Sequence, residues 1–77
     1  MRSRLPSLTP RQVVGILRRA NFYFHHQRGS HAYYRHHTDL SRWVTVPMHA
    51  RQLKKGTLRS IIRQSGLGRE LFYGANK

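Results

Sequence analysis

The chain contains no cysteine, so no disulfide can brace it and no thiolate metal site can form. Acidic residues are nearly missing as well, Asp39 and Glu70 being the only two. No apolar run approaches the ~20 residues of a membrane span. The basic start, Met1 to Pro6, is followed by no apolar stretch, which argues against a conventional signal peptide. These absences together suit a cytoplasmic chain. Repeats, low-complexity tracts and linker-like stretches are also lacking, so residues 1–77 read as a single domain. A chain of this size buries only ~60% of the surface its unfolded form exposes, and its core is expected to be thin.

What is present is positive charge. Fifteen Lys and Arg oppose the two acids, giving a formal net charge of +13, and twelve of the fifteen are arginine. Such a field attracts polyanions, and the planar guanidinium suits phosphate better than a point charge does. Nucleic acid is the expected partner, with an acidic protein compatible with the same surface. A membrane surface fits less well, because the cations are scattered and do not line one face of a long helix.

Thr9-Pro10-Arg11-Gln12 predicts a helix start: a capping threonine, a proline in the first turn and a capping-box glutamine. Leu8 and Val13 stand at hydrophobic-staple positions, and Val13, Ile16, Leu17 and Ala20 continue one apolar stripe. This helix runs near 10–20 and stops at Asn21. Three strands are expected next, at Phe22–His26, His31–His36 and Arg42–Val46, separated by turns at Arg28–Ser30 and Thr38–Ser41. Pro47 ends the third by removing a ladder donor. Leu58, Ile61 and Ile62 mark a second helix that ends near Ser65 and Gly66, with its start at either Leu53-Lys54 or Thr57. A last turn at Glu70–Tyr73 can lay Leu71 or Phe72 over the core. The order α-β-β-β-α predicts an α+β fold with a three-stranded antiparallel sheet and both helices on one face.

Side chains alternate along a strand, so parity sorts the two faces of that sheet. Phe22, Phe24, Ala32, Tyr34, Val44 and Val46 form the set to be covered by helices. Tyr23, His25, His31, Tyr33, Arg35, Trp43 and Thr45 are then left on the open face. Aromatic rings interleaved with His and Arg can stack on bases and hold phosphates. Ordinary cross-strand packing explains the aromatics alone equally well. Within this set His31 is singled out, because it opens a strand directly after Arg28-Gly29-Ser30. The glycine gives an anion room to approach, and turn amides can point at it.

Arg28-Gly29-Ser30-His31, with Tyr34 three positions on, resembles the histidine motif of the HicA family, the messenger-RNA-cleaving toxins of bacterial toxin–antitoxin pairs. Val44-Thr45-Val46-Pro47 with His49 is similar to that family's third strand and following loop. Leu53 to Leu67, with its Gly56-Thr57-Leu58-Arg59 core and Gln64-Ser65-Gly66 ending, is similar to its second helix. The likeness runs from about 4 to 73, Leu5-Pro6 included. It departs at Asn21, where the family often has glycine, and at the Thr38–Ser41 hairpin, where the family usually has Asp-Gly. The resemblance implies a double-stranded-RNA-binding-domain-like fold, a ribonuclease activity resting on His31, and a cognate acidic HicB-like antitoxin covering the His31 face.

On that expectation His31 is the general acid/base of a metal-independent cleavage, since imidazole exchanges protons near neutral pH and RNA carries its own 2′-hydroxyl nucleophile. Arg28 and Arg35 are expected at phosphate, and Gly29 and Ser30 shape the turn. Lys54 and Lys55 either present charge and amides to phosphate or form a solvated basic run. His49 reads first as a cap of its own loop, with approach to the site as the alternative. His25-His26 and His36-His37, as neighbours on strands, should each point to opposite faces and so fail to chelate one metal as a pair. No cofactor is expected. The competing reading is a non-catalytic RNA-binding module of the same fold.

Overall fold

The computed structural model describes residues 7–74, so the basic start and Leu5-Pro6 lie outside the described residues. The elements run α1 (Pro10–Arg19), β1 (Phe22–Arg28), β2 (His31–His36), β3 (Trp43–Pro47), α2 (Lys55–Ser65) and α3 (Glu70–Gly74). Helix α1 begins as its residues dictate. The Thr9 hydroxyl accepts from the Gln12 amide at 3.2 Å, and the Gln12 side chain accepts from the Thr9 amide at 2.9 Å. Leu8 and Val13, the staple pair, are both fully buried. Asn21 supplies the left-handed residue that turns α1 into β1, with φ 75°.

The three strands form one antiparallel meander in the order β1-β2-β3. Its lower face packs on the helices, and the core joins Leu8, Val13, Ile16 and Leu17 to Phe22, Ala32, Tyr34, Val44 and Val46. Leu58, Ile61 and Ile62 of α2 complete it. Helix α2 starts at Lys55 with Lys54 as an N-cap that makes no side-chain cap, and stops at Gly66 with φ 73°. Of the two candidates in the last turn, α3 buries Phe72 completely and leaves Leu71 49% exposed. Burial of such a ring contributes about 1.5–3 kcal/mol.

Two expectations from strand parity fail, and one β-bulge explains most of the difference. The register of β1 against β2 slips between Phe24 and His26, leaving His25 as the extra residue. Beyond the bulge, His26 and Arg28 move to the open face, where simple alternation would have put Gln27. His25 and His26 therefore do not point apart: their Nδ1 atoms are 2.8 Å from each other. One ring donates its N–H and the other accepts. Phe24 keeps its core-side register opposite Tyr34, yet it is 45% exposed. It stands on an edge strand, and α1 covers Phe22 at the start of that strand; Phe24 instead leans edge-on against Tyr34 with ring centroids 5.8 Å apart. The other histidine pair does split as alternation requires. His36 is buried against Phe22, whereas His37 is exposed and leans at a tilt against Tyr23.

Candidate active site

The open face is built of three cross-strand rungs: Tyr23–Arg35–Trp43, His26–Tyr33–Thr45 and Arg28–His31–Pro47. Directly opposed residues share a face, so each rung presents its side chains together. The first two rungs are aromatic. His26 lies flat on Tyr33, with centroids 4.5 Å apart and planes within 6°. His25 meets Trp43 edge-on at 5.0 Å, and the Arg35 guanidinium sits 4.2 Å above the Trp43 ring. Much of this aromatic surface is therefore spent on cross-strand packing.

The third rung is different. Gly29 and Ser30 alone join β1 to β2, and Gly29 takes φ 59°, as the first central residue of a II′ hairpin turn must. A two-residue turn fixes the register, so Arg28 is set directly beside His31. The bulge at His25 decides that both point to the open face. On the other flank the Met48 amide donates to the Ser30 carbonyl at 2.7 Å, which ties the chain after β3 to the turn before His31. That tie brings His49 over the same end of the sheet, its ring centroid 6.5 Å from that of His31. Both residues are exposed. The histidine ring hydrogen bonds among the described residues belong to His25, His26 and His36. Among the described residues, then, the His31 and His49 rings make no hydrogen bond, and none ties the His49 ring to its own loop.

The remaining predicted residues divide by position. Arg28, Gly29 and Ser30 stand with His31. Arg35 is four residues along β2, ~13 Å away at the rise of an antiparallel strand. Its guanidinium is on Trp43, and its Nε also donates to the Leu40 carbonyl at 3.4 Å. Lys54 lines a shallow hollow of about 210 Å³ together with Pro47, His49, Gln52 and Thr57. Lys55 begins α2 and is exposed. Among the described residues no three His, Asp or Glu side chains gather where they could hold a metal, and the His25–His26 pair has no third partner.

A family model covers most of these elements. Residues 10–67 match the HicA toxin of bacterial toxin–antitoxin systems. The chain belongs to the HicA toxin family. The matched span runs from the first residue of α1 to just past α2, so it holds His31, His49 and all three open rungs of this HicA protein. As a toxin of such a pair it has an antitoxin for partner. No curated protein matches the chain closely enough to add a relative. Among the described residues no helix is long and apolar enough to cross a membrane.

The residues themselves predict the turn before His31, but they misplace His26 and give the approach of His49 only as an alternative. His26 was assigned to the wrong face, because a bulge in an edge strand leaves no residue pattern to read. The approach of His49 depends on a backbone bond between Met48 and Ser30, eighteen residues apart in the chain. No local signal encodes that contact.

Proposed function

We propose that this HicA protein is a metal-independent endoribonuclease that cleaves messenger RNA, with His31 as the proton-transfer group. The observation that carries the reading is an exposed histidine, its ring unbonded among the described residues, on the open face of a HicA-family sheet beside Arg28. RNA brings its own nucleophile. The 2′-oxygen attacks the adjacent phosphorus, the bond to the 5′-oxygen breaks, and the products are a 2′,3′-cyclic phosphate and a 5′-hydroxyl. Imidazole exchanges protons near neutrality, so it serves such a step without a metal. Arg28 and the amides of the Gly29-Ser30 turn supply positive potential where charge builds on phosphorus. The net charge of +13 draws the RNA in and makes binding strongly salt-dependent.

The antitoxin partner in this reading is an acidic HicB-like protein that covers the His31 face. Two carboxylates on the toxin leave its surface charge almost uncompensated, so an acidic partner meets little repulsion. The test is incubation of labelled RNA with the purified protein in excess chelator, against the His31→Ala variant. Fragments ending in cyclic phosphate are expected from the parent alone. Equal cleavage by His31→Ala removes the assignment, and intact RNA with undiminished binding favours the non-catalytic module.

A further inference from the structure

We propose that His49 is the second proton-transfer residue, facing His31 across the scissile phosphate; this rests on the ribonuclease reading above. In an in-line displacement the entering 2′-oxygen and departing 5′-oxygen take opposite sides of the phosphorus. Each needs a proton partner at roughly 2.6–3.2 Å, so two groups serving one phosphodiester stand on the order of 6–9 Å apart. The His31 and His49 rings are 6.5 Å apart, centre to centre, with planes at 74°. That gap takes a phosphate and is too wide for a direct bond between the rings.

The placement is built into the fold. His31 is the first residue of β2, the central strand, and its Cα pairs with Arg28 on one side and Pro47 on the other. His49 follows Pro47 by two residues, and the Met48–Ser30 bond holds its segment against the His31 turn. Among the described residues, Arg28 of β1 pairs with His31 and Lys54, just before α2, shares a hollow with His49; both are cationic. Among the described residues no carboxylate hydrogen-bonds to either ring, so none competes there with a phosphate. The hollow beside His49, walled in part by Gln52, Lys54 and Thr57, leaves room for the next nucleotide of a bound strand.

The step balances within the pair. One neutral imidazole takes the 2′-hydroxyl proton as the 2′-oxygen–phosphorus bond forms. The other, protonated, gives its proton to the 5′-oxygen as the phosphorus–oxygen bond breaks. Exchange with water then resets both rings, and no co-reactant is consumed.

The experiment uses the full chain and one RNA, prepared with oxygen or with sulfur at the 5′-bridging position of its mapped cleavage site. A thiolate leaves without a proton, so the sulfur substrate removes the need for the acid alone. His49→Ala and His49→Gln should each cut the oxygen RNA ~10²–10⁴-fold more slowly than the parent, with unchanged melting temperatures. Sulfur should rescue one of His31→Ala and His49→Ala but not both, and the rescued variant names the acid. Parent-like cleavage by His49→Ala or His49→Gln overturns the proposal, as does rescue of both variants or of neither. If the parent leaves RNA intact, or if His31→Ala matches it, the ribonuclease reading itself fails. A large His31 effect with no His49 effect removes only the present inference.

Discussion

The two ends of β2 each carry a histidine, and the pair show how position alone divides one residue type between the open surface and the core. His31 opens the strand on the open face, exposed, with its ring toward His49. His36 closes it on the covered face, 9% exposed, edge-on to Phe22 at 5.0 Å. Its Nδ1 accepts from the Thr38 and Asp39 amides at 3.2 and 3.0 Å, which pins the turn into β3. An odd separation along a strand reverses the face, so five residues suffice for the change of role. At the His31 end the ring itself makes no hydrogen bond among the described residues. At the His36 end the polar groups are bonded to one another, and Arg42 extends the tie by donating from Nε to the Ser65 carbonyl at 2.7 Å, closing β3 onto the end of α2.

The sharpest break in that comparison is His31→Ala. Its cleavage rate is expected to fall ~10²–10⁴-fold with no change in melting temperature, measured on labelled RNA and by thermal unfolding in parallel. His36→Ala should do the reverse. Loss of two accepted bonds and the ring contact costs roughly 2–3 kcal/mol in urea unfolding, while the cleavage rate per folded molecule stays at the parent's. Arg42→Ala is next, destabilising by about 1–2 kcal/mol through the lost tie to Ser65, again with cleavage unaltered. A variant at the His36 end that lowered activity more than stability would blur the division.

The smallest effect belongs to Asp39. Its carboxyl is held below the usual 3.8, chiefly by the Ser41 hydroxyl, then by the Ser41 amide, with Arg42 adding less. A carboxylate whose value is depressed on folding stabilises above the unfolded value and loses that contribution as pH falls through the folded one. Asp39→Asn is therefore expected to be slightly less stable than the parent at neutral pH. The gap should close below pH 3.8, as read from denaturation midpoints at the two conditions.

Much of this was legible in the residues. The capping box fixed the start of α1, Gly66 fixed the end of α2, and the Gly29-Ser30 turn fixed the hairpin that presents His31. These signals are local, since each depends on bonds made within a few residues. Less legible were the exposure of Phe24, the facing of the His25-His26 pair, and the approach of His49, which the residues offer only as the second of two readings. The first is a matter of how far α1 reaches along an edge strand, and the second is a one-residue slip of register. The third follows from a contact between segments distant in sequence.

By itself, then, the sequence determined the order of elements, the positive field and the position of His31 at the head of a strand. Capping, turn chemistry and alternation act over short distances and are written in adjacent residues. Only the tertiary structure decided which cations and rings share the face with His31. A single extra residue in β1 swung Arg28 and His26 to that face, and the Met48–Ser30 bond carried His49 within a phosphate's width of the catalytic candidate. Both depend on how strands settle against one another, which is an energy of packing over the whole sheet and not a property of any one segment.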